Sequence, residues 1–169
     1  MWDPCDLVSP LAPESSRLQL DVLAPVSGKV GLLDAVPSSA FANGLFGVGI
    51  AIDMAGHRLQ APFDGILQDH TVSGEQLRLR SKQGLELLIQ LGIDSHKLMG
   101  EGFKAKLRRG QTFTQGQALM DFDLNLLKRR FGIAHCLVLT SQTSKLSGIQ
   151  AHCQSMLAMQ EPCMTLHFR

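Results

Sequence analysis

The chain has 169 residues and a mass of 18.4 kDa, with 44% apolar and 18% charged side chains and 16 basic residues against 15 acidic ones, for a net charge of +1. That is enough for one well-buried domain and too apolar for wholesale disorder. The near-neutral balance excludes a global field that draws the chain to nucleic acid or an anionic membrane, and with no tyrosine and one tryptophan there is no wall of base-stacking aromatics.

Residues 1–20 carry Pro4, Pro10 and Pro13, lack a basic start and lack an apolar stretch, so they read as a flexible arm rather than a secretory leader. Residues 21–169 read as a single domain. Short apolar runs follow one another at glycine and proline punctuation. Asp21–Ala24 and Lys29–Leu33 are strands about the turn at Pro25–Gly28, and Pro37 to Gly49 is a loop bearing Phe41 and Phe46. Gly49–Met54 is a strand, His57–Ala61 leads to the turn at Pro62–Gly65, and Ile66 opens another strand. Gln76–Arg80 alternates polar and apolar like a strand with one wet face. Leu85–Ile93 is a nearly unbroken apolar row, as in a central strand. Phe113, Leu119–Phe122 and Cys136–Leu139 fit later strands, Leu124–Phe131 is a short helix, and Ser155–Met159 with Cys163–Phe168 flank Gln160-Glu161-Pro162 as a final hairpin.

Ala24-Pro25-x-Ser27-Gly28 recurs as Ala61-Pro62-x-Asp64-Gly65, each time ahead of an apolar strand. Proline withholds an N–H from the ladder and glycine turns the chain, so punctuation this frequent predicts an antiparallel sandwich or barrel. Cys5, Cys136, Cys153 and Cys163 form no C-x-x-C pair and read as reduced thiols of a cytoplasmic protein, mostly buried. The six histidines lack ligand spacing, so neither a metal nor another cofactor is expected. No apolar run approaches the roughly 18 residues of a membrane helix.

In this order, LAPVSGKV (Leu23–Val30), FANGLFGVGIAI (Phe41–Ile52), APFDGIL (Ala61–Leu67), GLELLIQLGID (Gly84–Asp94), LMGEGFK (Leu98–Lys104), GQTFTQGQALMDFDLNLL (Gly110–Leu127) and LVLTS (Leu137–Ser141) resemble the glucose-type enzyme IIA family of the bacterial phosphoenolpyruvate-dependent sugar phosphotransferase system. The resemblance implies an all-β fold, an antiparallel β-sandwich or barrel-sandwich hybrid with short helical turns and a shallow active face. It also implies chemistry: one histidine accepts a phosphoryl group from the carrier HPr and passes it to a sugar-specific IIB domain, and a second histidine supports it. Imidazole suits this exchange because its ring nitrogen is nucleophilic at neutral pH.

Aligned on those motifs, both histidines are replaced. Gln90 stands at the supporting position and Glu75 at the acceptor position, with Ser73 at the family's threonine. Three readings of Glu75 stand open: a solvated carboxylate left after loss of catalysis, a fixed charge mimicking a phosphorylated face, and a carboxylate that forms an acyl phosphate. His70 and His96 are the displaced acceptors to weigh against it. The resemblance places Phe41, Phe46, Ser73, Asp94 and His96 on the face that partners dock on. It leads to a protein-binding or regulatory module defective in histidine phosphotransfer, with HPr, a IIB domain or regulated permeases and enzymes as partners. The alternative is an active phosphocarrier using His70, His96 or Glu75, so whether the chain is an enzyme is left open. The basic residues Lys104, Lys106, Arg108, Arg109 and Lys128–Arg130 read as a solvated face. A swinging-arm carrier needs a lysine at the Asp53–His57 turn, and a zinc peptidase of related fold needs an H-x-H pair; the sequence has neither.

Overall fold

The punctuation yields fifteen short strands and two short helices in a computed structural model that describes residues 3–169. In chain order these are β1 (Val8–Ser9), β2 (Leu18–Leu23), β3 (Gly28–Leu32), α1 (Ser39–Ala42), β4 (Val48–Met54), β5 (Arg58–Gln60), β6 (Gly65–His70), β7 (Gln76–Ser81) and β8 (Glu86–Leu91). There follow β9 (Phe103–Ala105), β10 (Thr112–Phe113), β11 (Ala118–Phe122), α2 (Leu124–Phe131), β12 (His135–Thr140), β13 (Leu146–Ala151), β14 (Ser155–Met156) and β15 (Pro162–Phe168). Short 3-10 turns cover Pro4–Leu7, Leu33–Ala35 and Ser95–Leu98.

Three sheets result. The large one runs β10-β6-β7-β8-β12-β4-β3-β14, the second β1-β13-β15-β2 and the small one β5-β11-β9. Every pairing is antiparallel except β1 with β13. Alternation in β7 fixes its facing: Leu77 and Leu79 are buried in the core between the sheets, while Arg78 and Arg80 face out. Strand β8 is central, as its apolar row requires, flanked by β7 and β12. β12 is buried along its whole length. Its Cys136 and Val138 enter the main core, whereas Leu137 and Leu139 join a second apolar layer on the opposite face.

Helix α2 falls on Leu124–Phe131, as expected. The Asp123 carboxylate caps it by accepting the Leu126 N–H at 3.0 Å, and Lys128–Arg130 lie in the last turn, where cations oppose the helix dipole. The thiols of Cys136 and Cys163 are buried, Cys5 is half-buried and Cys153 exposed.

Several sequence expectations need correction. The final hairpin does not form: β14 pairs with β3, and β15 pairs with β13 and β2. Strand β2 begins at Leu18, inside the stretch read as a loose arm. Part of that stretch is docked, because Val8 and Ser9 pair with Ile149 and Gln150, Leu7 is buried and the Ser16 hydroxyl lies 3.3 Å from the His167 ring. Met1 and Trp2 lie outside the described residues. Strands β9 and β13 had no counterpart in the reading of the sequence.

Two constraints are directly testable. A Cβ at Gly49 in β4 collides with the carbonyl oxygen of Val138, whereas one at Gly31 in β3 meets only the Ala51 oxygen at 3.9 Å. Gly49→Ala is expected to lower stability by about 2 kcal/mol in urea titration, as overpacking does, with Gly31→Ala much milder. The small sheet is tied by Asp121, which takes Arg58 Nε at 2.8 Å and Lys106 Nζ at 3.1 Å. Arg58 first and Lys106 next hold its carboxyl at about 2, against the pull of desolvation. A depressed carboxyl stabilises the fold above the ordinary Asp range near about 4 and loses that contribution as pH falls toward 2. Asp121→Asn should therefore flatten the acid limb of a stability–pH curve over that window while lowering stability at neutral pH.

Candidate functional site

The ladder fixes where Glu75 and Gln90 stand. Gln90 lies on β8 opposite Gln76 of β7 and Leu137 of β12, so it faces the second apolar layer rather than the main core. That layer comprises Leu33, Val36, Ala51, Leu137 and Leu139, with Phe41, Leu88 and Ile93 half-buried on it. Gln90 is itself buried, at 6% exposure. Both ends of its amide are engaged within the chain: Oε1 accepts from Gln76 Nε2 at 3.0 Å, and Nε2 donates to the Gly92 carbonyl at 2.8 Å.

Glu75 sits at the end of the β6–β7 turn. Its carbonyl accepts the Leu91 N–H at 2.7 Å, which places it one rung beyond the Gln76–Gln90 pair. The positive φ of Gly74 turns the chain into that position. The carboxylate of Glu75 accepts a hydrogen bond from the Ser73 hydroxyl, and the residue is 6% exposed. The reading of Glu75 as a solvated carboxylate is thereby corrected: the turn encloses it.

The remaining sequence-derived positions lie on several different elements. Phe41 and Phe46 pack with ring centroids 4.7 Å apart, Phe41 against the apolar layer and Phe46 exposed. Asp94 follows the β8 end in a left-handed conformation (φ 60°), is exposed, and lies 3.8 Å from Lys97 Nζ. His96 is exposed on the Ser95–Leu98 turn. His70 is turned to its own chain, with Nδ1 2.8 Å from the Thr71 carbonyl. Leu45, Phe46, Val72 and Met99 are large exposed apolar side chains on loops and turns. Among the described residues, no group of three or more His, Cys, Asp or Glu side chains is placed to hold a metal ion.

A family profile described as "phosphoenolpyruvate-dependent sugar phosphotransferase system, EIIA 1" matches residues 20–146. The chain belongs to this EIIA family. The glucose-specific EIIA component of Haemophilus influenzae is 31% identical over 117 residues, covering 69% of this chain and 70% of the relative. The fold is that of the glucose permease IIA from Mycoplasma capricolum, with a TM-score of 0.78 at 23% identity over 88% of this chain and 96% of that one.

Two residues of this EIIA face were not singled out in the sequence. Gln76 is the side-chain partner of Gln90, which only the β7–β8 register reveals. His135 opens β12 on the same face as Leu137 and Leu139, opposite Asp53 of β4, and its carbonyl takes the Gly92 N–H at 2.7 Å. It is 8% exposed, and its Nδ1 is the one buried side-chain nitrogen or oxygen without a hydrogen bond among the described residues. The alternation of His135, Leu137 and Leu139 in a strand apolar on both faces was the signal for it.

Burial lowers the pKa of His135, partly opposed by the Asp53 charge. A histidine buried neutral stabilises the fold above the unfolded value near about 6.5 and loses that contribution as pH falls toward its folded value. Stability measured by urea unfolding should fall as pH is lowered below neutrality. His135→Leu is expected to reduce that slope, and an unchanged slope would assign it to other groups.

Proposed function

We propose that this EIIA protein has kept the family's docking face, has lost the histidine relay, and acts as a protein-binding, regulatory module of the sugar phosphotransferase system. The observation that carries the reading is the double engagement of Gln90 beside the enclosed Glu75: an amide held by Gln76 and Gly92, and a carboxylate held by Ser73. An amide nitrogen is not a nucleophile toward a phosphoryl group, and a carboxylate forms no phosphoramidate. The buried carboxylate keeps a fixed charge where a phosphohistidine carries nearly two, so partners meet a face with constant rather than switched charge.

The partners implied are HPr, a IIB domain, or permeases and enzymes under the system's control. They dock on the rim formed by Phe41, Phe46, Ser73, Asp94 and His96. Phe46 offers the exposed aromatic that interface centres favour. Among the described residues no helix is long and apolar enough to cross a membrane, and the reading places the protein in the cytoplasm with these partners.

The test is restoration. Glu75→His/Gln90→His should gain acid-labile, base-stable label from phosphoenolpyruvate, enzyme I and HPr, while the parent chain gains none. Label on a histidine of the parent overturns the reading. Base-labile, hydroxylamine-sensitive label lost in Glu75→Gln would replace it with an acyl-phosphate carrier.

A further inference from the structure

At the end of β8 remote from Gln90, a cleft of about 520 Å³ opens between the second sheet and the β7–β8 turn. Its floor is Leu85, Leu146 and Leu166, all buried. Its lip is Leu18 and Leu20 of β2, the edge strand of the second sheet, at 64% and 36% exposure. These two are in register with Phe168 and Leu166, so their side chains line the inner face of a sandwich that stays open at this corner.

One polar side chain of the wall is engaged within the chain. Gln142 bridges the loops, donating from Nε2 to the Gly84 carbonyl at 3.1 Å and accepting the Glu86 N–H at 2.9 Å. Lys145 is the one charged residue that lines the cleft. Lys145 forms no ion pair among the described residues, and Arg169, which follows Phe168 in the chain, donates from Nε to the Leu146 carbonyl at 3.0 Å. No acidic side chain lines the space.

An apolar floor with one lysine at its edge and no acidic side chain in its lining selects an amphipathic anion. The volume falls within the roughly 300–1,000 Å³ of small-molecule sites, so the occupant is a small ligand rather than a protein surface. We propose that this cleft binds a medium-chain carboxylate, its alkyl chain against Leu85, Leu146 and Leu166 and its headgroup at Lys145. The inference is independent of the docking face and of whether phosphate is relayed there.

Decanoate, kept below its micelle concentration, is titrated into the full chain by calorimetry and by methyl NMR. Saturable one-site binding is expected, with shifts at the Leu85, Leu146 and Leu166 methyls. Lys145→Glu and the uncharged decanol should each weaken binding at least tenfold. Leu18→Glu, at an exposed lip position that leaves the fold intact, should do the same. Anionic phospholipid vesicles free of fatty acid should leave those methyls unshifted. Non-saturable binding, shifts centred on another surface, equal affinity for decanol and decanoate, indifference to Lys145→Glu, or the same shifts with vesicles alone would each overturn the assignment.

Discussion

The burial of β12 on both faces is the constraint from which the site follows. A strand covered on one face needs only one core. β12 places Cys136 and Val138 in the space between the sheets and Leu137 and Leu139 on the far side, so a second apolar layer must form there. Leu33, Val36 and Ala51 complete it, with Phe41 of α1, Leu88 of β8 and Ile93 of the turn after β8 packed half-buried on it. The shallow face is therefore the outer surface of a small second core, and any polar side chain in it stands in a setting of low dielectric.

That setting decides how Gln90 and Glu75 are held. A buried polar group must be hydrogen-bonded, and leaving it unpaired costs about 1–3 kcal/mol. Gln90 meets the requirement through Gln76 and Gly92, and Glu75 through Ser73. These bonds hold the β7 entry, the β8 exit and the following turn in fixed relation. They also engage the groups that a phosphoryl relay needs free and nucleophilic. Position 90 thus braces the face, and the carboxylate at position 75 is held by its own turn. His135 is the exception: it is a titratable ring under the same layer with a sealed, unpartnered nitrogen.

Much of this was legible in the sequence, and the rest failed for identifiable reasons. Strands β4, β7 and β8 and helix α2 announce themselves by local alternation, apolar runs and caps. The motif order around Gly92–Asp94 sufficed to point to the family, whose profile matches residues 20–146. Strand β13 was missed because Ser147 and Gly148 interrupt its apolar pattern; Pro13 from the distant N-terminal stretch lies over Gly148. The final hairpin failed because its two halves find remote partners, β3 and β2, that no local signal specifies. Gln76 escaped notice because its role is a cross-strand contact, and register is not a property of either strand alone. The enclosure of Glu75 by its own turn likewise depends on tertiary packing around Gly74.

The proposed function requires that this chain take up no phosphoryl group. Phosphorus NMR of the wild-type protein after exposure to enzyme I, HPr and excess phosphoenolpyruvate measures it without a label or a variant. The account predicts no protein-bound resonance in either the phosphoramidate or the acyl-phosphate region. A phosphohistidine resonance that persists in base and vanishes in acid would contradict it.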